Sequence, residues 1–239
     1  MPVSASGKVA LITGGNRGIG LAIARILARA GYSVVITARD ASRLQAAKAD
    51  LEHKGAKVLA LACDVSDAKS VDQLFAEVAG SFAKIDVLVN NAGVAQGLAP
   101  VAKLSVETWK QLIDINLTGT FLITRAALPL MSSGGTIVNN LSIAAMRSFP
   151  GMAAYNASKA GALGFTNALR EELRSNGIRV LALLPGAVDT EIWTQFWSDA
   201  PREKMVSAET VAEAVLHAVS VPASTTIDEI RIGPVVGVL

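Results

Sequence analysis

Cysteine is nearly missing from these 239 residues: Cys63 is the only one. No disulfide can form within the chain, a reducing compartment is expected, and Cys63 itself, in "KVLALACDV", reads as a small buried apolar residue. Histidine is almost as scarce. His53 and His217 stand on separate expected helices, remote from any Cys or His cluster, so no metal site is expected. No G-x-S-x-G elbow is present for a hydrolase triad. No stretch reaches the ~18 uninterrupted apolar residues of a membrane span. The opening residues, "MPVSASGKVALITGG", carry only a short apolar run and do not read as a signal peptide. The 22 basic and 20 acidic residues are interspersed without a basic block, which gives no support to a nucleic-acid or anionic-membrane partner. A soluble cytoplasmic protein is expected.

What the chain has is alternation. Short β-branched apolar runs at 8 to 14, 33 to 39, 57 to 65, 85 to 93, 135 to 142 and 177 to 186 are separated by segments of helical period. The helices are expected at about 18 to 30, 41 to 54, 67 to 82, 105 to 131 and 153 to 175. A final helix, about 208 to 219 and capped by Ser207, precedes a last strand in "EIRIG". Near-continuous apolar strands between helices imply a parallel sheet covered on both faces. The expected fold is α/β: one doubly wound, Rossmann-type domain spanning 1–239, with seven strands.

At the first strand–helix turn stands "TGGNRGIG", residues 13 to 20. Gly14, Gly18 and Gly20 allow a tight turn and close approach of a pyrophosphate to the free N–H groups of the following helix. No Lys-Ser/Thr follows them, which disfavours a P-loop. Dinucleotide folds that prefer NAD place an acidic residue after the second strand, roughly 20 residues on. Here that strand ends "TARD". Arg39 suits a 2′-phosphate and neutral Ala38 removes the repulsion of a carboxylate. Arg17 either joins Arg39 from the other side or is a surface cation. Asp40 is expected to cap the next helix. The expected cofactor is NADPH in preference to NADH.

Tyr155 and Lys159, in "YNASK", are one helical turn apart and therefore neighbours on one face. With "TGGNRGIG" they belong to an ordered set: Asp64–Val65, "NNAG" at 90 to 93, Asn116, Ser142 and "PGAVDT" at 185 to 190. Over essentially its whole length the chain resembles the short-chain dehydrogenase/reductase family, and within it the NADPH-preferring carbonyl reductases. The resemblance implies catalytic roles for Asn116, Ser142, Tyr155 and Lys159. It implies that Asp64 bonds the adenine, with Val65 beside it, and that Asn90, Ala92 and Gly93 form the cofactor floor. It implies cofactor contacts for Asn16 and Ile19 in the Gly-rich turn, and for Pro185, Gly186, Val188 and Thr190, the last at the nicotinamide carboxamide. It also implies a homo-oligomer, dimer or tetramer, formed through the long helices.

Carbonyl reduction needs a hydride on carbon and a proton on oxygen. Tyr155 is expected to give the proton, Ser142 to orient the carbonyl, and Asn116 to anchor a water leading protons to Lys159. Lys159 and the charge of oxidised nicotinamide are together expected to lower the phenol from its usual pKa of about 10; reaching neutrality takes roughly 3–4 kcal/mol of differential stabilisation, more than one exposed Lys in water supplies.

The segment "DTEIWTQFWSDAPREKM", within 187–206, matches the family's substrate lid in position. Trp193, Phe196 and Trp197 share one face if helical; they close over an apolar carbonyl compound, or they pack on the body or a subunit interface. Ala144, Phe149 and Met152 are expected to add apolar wall. Reductases of 3-oxoacyl groups on acyl carrier protein usually carry cations just before strands five and six. Here "LMSSGG" and "SNGI" have none, though Arg174 and Arg179 flank the second. That activity is the alternative reading, and a non-catalytic dinucleotide sensor is a further one.

Overall fold

A computed structural model describes residues 7–53, 55–195, 197 and 199–237. Seven strands form one parallel sheet: β1 (Val9–Thr13), β2 (Ser33–Ala38), β3 (Val58–Ala62), β4 (Val87–Asn90), β5 (Thr136–Asn140), β6 (Arg179–Pro185) and β7 (Glu229–Ile232). Their order across the sheet is β3-β2-β1-β4-β5-β6-β7. The chain winds outward from β1 to β3, then returns to place β4 on the other side of β1. This reversal opens a crevice beyond the strand C-termini, where sheets of this kind bind ligands.

Successive β1 residues feed opposite layers, as the period of two requires. Ala10 and Ile12 pack with α1 (Gly18–Arg29), α2 (Ala41–His53) and α7 (Ala208–Ser220). Val9 and Leu11 pack on the other face, with α3 (Ala68–Ser81), α5 (Gly119–Ala127) and α6 (Ala153–Leu173). The caps follow from side chains. Asp40 Oδ1 accepts from Arg43 N, Asp67 from Lys69 N, and Ser207 from Thr210 N. His53 and His217 are exposed on α2 and α7, and Cys63 is buried. Among the described residues, no helix is long and apolar enough to cross a membrane.

The expected helix over 105 to 131 is not continuous. It divides into α4 (Val106–Ile113), a π turn (Asp114–Thr118), α5, and a 3-10 turn at Leu128–Leu130 containing Pro129. Asn116 lies in the π turn, and its carboxamide is bonded outside the helix. Oδ1 accepts from Val94 N at 2.9 Å, while Nδ2 donates to Val94 O at 2.9 Å and to Ser158 Oγ at 3.0 Å. All six of the expected strand runs also extend beyond the ladder. The run at 57 to 65, for instance, stops pairing after Ala62, and its last residues line the crevice.

Candidate active site

A cavity of about 730 Å³ occupies the crevice, running from the β1–α1 turn to α6. At one end are Gly14, Asn16, Arg17, Gly18 and Ile19, with Arg39, Asp64 and Val65. The middle carries Ala92, Gly93, Pro185, Gly186, Val188 and Thr190. At the far end are Ser142, Tyr155 and Lys159, walled by Ala144, Phe149, Met152, Trp193 and Trp197. Residues far apart in sequence thus share one hollow. Phe196 lies outside the described residues.

The cradle at the first end is built by close approach. Gly14 has φ +64°, and a Cβ on Gly20 would sit 2.3 Å from the Gly14 carbonyl oxygen. Only glycines allow this turn to fold so tightly against the start of α1, which leaves backbone N–H groups facing the cavity. A Cβ on Gly18 would reach Thr190 Cγ2 at 3.3 Å, so the turn and the segment after β6 meet across the hollow. An elongated, phosphate-bearing dinucleotide fits residues of this kind: glycine backbone at the cradle, three arginines beside it, and a lysine at the opposite end.

Three expected residues stand apart from the cavity wall. Gly20 is buried beneath the turn and acts by packing. Asn90, expected on the cofactor floor, points into the layer behind it, where Nδ2 donates to Thr124 Oγ1 at 2.9 Å and Asn139 Oδ1 at 2.8 Å. The floor position belongs to Asn91, which the sequence reading passed over. Its Nδ2 bonds the carbonyls of Thr13 and Gly14, and its Oδ1 accepts from Asn140 Nδ2. The Asn116 side chain does not reach the wall either, because Val94 and Ser158 take its polar atoms.

The cationic end also differs from expectation. Arg39 is exposed and makes no ion pair among the described residues. Arg17 meets Glu191 at 3.3 Å, and so does Arg43, another residue the sequence reading missed, at 2.8 Å. Arg43 has a local neighbour, Asp40, that marks only the start of α2, and its cavity partner Glu191 is 148 positions away. Burial pushes the Asp64 carboxyl up. The Ser66 hydroxyl and amide, with Arg39 nearby, outweigh this and hold it below the usual range.

At the far end α6 puts Tyr155 and Lys159 on one face, with Lys159 Nζ 5.7 Å from the phenol ring centroid. Ser142 follows β5 by two residues and caps a short 3-10 turn, its Oγ accepting from Ala144 N at 3.1 Å. The Ser142 hydroxyl also acts on the Tyr155 phenol, favouring its ionised form. The expected lowering of the phenol by Lys159 is absent. Burial raises Tyr155 above 10.0, and the Ser142 hydroxyl only partly opposes it. Burial likewise depresses Lys159 to about 8, and its ammonium donates to Asn140 O at 3.1 Å rather than to the phenol. In a poorly solvated pocket desolvation outweighs a charge that is held to one side.

The segment after β6 is pinned at its base. Val188 bridges Val206, Asp189 N donates to Val206 O, and Arg202 pairs with Asp189. Trp193 Nε1 donates to Val188 O at 2.8 Å, and its ring meets Trp197 edge-on at 5.8 Å. Trp193 and Trp197 both line the cavity.

Comparison with known proteins agrees with this geometry. A family model for short chain dehydrogenase matches residues 8–201. A 3-oxoacyl-[acyl-carrier-protein] reductase of Synechocystis sp. is 41% identical over 188 residues, covering 77% of this chain and 76% of that protein. A 3beta-hydroxysteroid dehydrogenase of Mediterraneibacter gnavus is 41% identical over 186 residues, covering 77% and 67%. The structure of an alcohol dehydrogenase from the archaeon Thermococcus sibiricus, complexed with 5-hydroxy-NADP, superimposes with a TM-score of 0.89 at 33% identity, over 95% of this chain and 97% of that one. Fold, cavity and matched sequence together make this chain a member of the short-chain dehydrogenase family of oxidoreductases.

Proposed function

We propose that the protein is an NADPH-dependent reductase that converts an apolar ketone or aldehyde to an alcohol. The observation that carries this reading is the convergence of Ser142, Tyr155 and Lys159 at one end of a cavity whose other end carries the glycine turn and Arg17, Arg39 and Arg43. NADPH supplies hydride when bound. The chain's residues do the rest. Gly14, Asn16, Gly18 and Ile19 line the pyrophosphate cradle, and Arg39 with Arg17 and Arg43 holds the 2′-phosphate. Asp64 and Val65 flank the adenine, while Ala92, Gly93, Pro185, Gly186, Val188 and Thr190 shape the remaining cofactor path. Lys159 holds the nicotinamide ribose from its place beside Asn140 O. Ser142 orients the carbonyl oxygen, and Tyr155 donates its proton to that oxygen as negative charge develops. A phenol raised by burial is protonated at neutral pH, which suits the reductive direction. Asn116 is assigned a positioning role, through Val94 and Ser158.

Apart from Lys159, the cavity's charged side chains all lie toward its adenosine end. The substrate end is apolar, closed by Ala144, Phe149, Met152, Trp193 and Trp197, and the segment 187–206 serves as its lid. A neutral apolar carbonyl compound matches that wall. Reduction of a 3-oxoacyl group on acyl carrier protein is the second reading, favoured by the likeness to the Synechocystis protein. Against it, Arg174 is paired with Glu171 at 2.7 Å, and Arg179 donates to the carbonyls of Val221 and Thr225. Arg179 is thereby committed to the fold, whereas the exposed Arg174–Glu171 pair would yield to an acidic partner at little cost. We also propose a homo-oligomer, since Val106, Trp109 and Phe121 on α4 and α5 are exposed.

The test is loss of NADPH and NADH absorbance by the purified protein. The panel includes an aromatic aldehyde, a quinone, a ketosteroid and a 3-oxoacyl thioester. Turnover with NADPH on the apolar carbonyls is expected. Turnover confined to the thioester would move the assignment to the second reading. Tight NADPH binding with silence across the panel would favour a non-catalytic sensor.

A further inference from the structure

Glu191 is the first residue of the 3-10 turn Glu191–Gln195, which carries Trp193 over the cavity. One of its carboxylate oxygens, Oε2, accepts from Arg43 Nη1 at 2.8 Å and from Arg17 Nη1 at 3.3 Å. All three side chains are half-exposed, and all three line the cavity beside Arg39. Arg43 also faces Asp40 at 3.5 Å, but that carboxylate is committed to the start of α2. Two guanidiniums from different elements, α1's leading turn and α2, therefore converge on one oxygen supplied by the lid. This is how guanidiniums hold a phosphate oxygen, and the oxygen here belongs to the chain.

We propose that Glu191 is an internal competitor for the cofactor's 2′-phosphate, a residue that sets cofactor affinity and couples it to the lid. A phosphate monoester brings more negative charge than a carboxylate and presents three oxygens to Arg17, Arg39 and Arg43. It takes the two guanidiniums and repels the carboxylate. Glu191 swings out, and the turn bearing Trp193 loses its tie to α1 and α2. A cofactor without the phosphate leaves that tie in place. The coupling is reciprocal: whatever holds the lid down through Glu191 weakens phosphate binding by the same factor. The inference rests on the NADPH reading above.

The experiment uses calorimetric titration with adenosine 2′,5′-bisphosphate, which carries the phosphate but no nicotinamide, and with 5′-AMP, which lacks the phosphate. Wild type, Glu191→Gln, Arg43→Ala and the double variant are compared in a Trp109→Phe background. Glu191→Gln is expected to bind the bisphosphate about three- to tenfold tighter, the factor that one or two exposed ion pairs are worth, with AMP unchanged. The gain should shrink when Arg43 is also removed. Tryptophan emission of unliganded Glu191→Gln should match that of wild type saturated with the bisphosphate. Unchanged or weaker bisphosphate binding by Glu191→Gln, with wild type still preferring bisphosphate over AMP, overturns the competitor role and leaves the NADPH reading standing. Wild type binding both nucleotides equally overturns that reading and this inference with it.

Discussion

Lys159 is an ammonium with 6% of its surface exposed, and the fold bears a cost to keep it there. Its pKa lies at about 8 in the folded chain, below its ordinary value of 10.5. Between those values the unfolded chain binds more protons, so stability rises as pH climbs through the window. Below pH 8 the folded state carries the full cost, roughly 3 kcal/mol from the size of the shift. Lys159→Met removes that cost but strands the Asn140 carbonyl, which takes back about 1–2 kcal/mol. Urea unfolding should therefore find the variant more stable by about 1–2 kcal/mol at pH 7, with the gain gone by pH 10.5. A variant less stable than wild type at pH 7 would mean that the ammonium is well solvated in its pocket. The pairing of Tyr155 with Lys159 was legible in the sequence, because i and i+4 share a helix face. Its electrostatics were not. The sequence carries no measure of desolvation, and desolvation reverses the sign expected for the phenol.

At the scale of elements, the π turn at Asp114–Thr118 does the most to shape the site from outside it. Strand and helix existence followed from hydrophobic period, but period is averaged over many residues and does not register one extra residue in a turn. The expected single helix over 105 to 131 therefore hid the place where Asn116 leaves the helical ladder to hold Val94. Such turns are frequent at functional sites. Asn116→Ala leaves Val94 N and Val94 O without these bonds in a partly buried region, while Ser158 Oγ keeps its bond to Tyr155 O. Loss of stability of about 2–3 kcal/mol is expected, from the desolvation cost of orphaned polar groups. Chemical denaturation measures it, and a loss below about 0.5 kcal/mol would mean that water replaces the carboxamide freely. Pro129, inside the expected helix, was passed over in the same way, although the chain turns 3-10 there.

Across the whole molecule, the order β3-β2-β1-β4-β5-β6-β7 brings the ends of six strands to one crevice. A doubly wound parallel sheet was legible because apolar strand runs alternate with helices and the glycine turn marks β1, but the order of its strands came only from the structure. The Arg17–Glu191–Arg43 cluster was not, since its members are joined only by the closing of the fold. The finished cavity is polarised: cations gather at the end with the glycine turn, while apolar side chains close the end where Ser142 and Tyr155 meet. The central claim is that Tyr155 delivers the proton in a pocket assembled for NADPH and a carbonyl. Tyr155→Phe tests it most directly, with NADPH affinity and turnover measured on the same preparation. The account predicts affinity within about twofold of wild type and turnover reduced at least a hundredfold, the usual scale of a lost general acid. Retention of more than a few per cent of wild-type activity by Tyr155→Phe would contradict it.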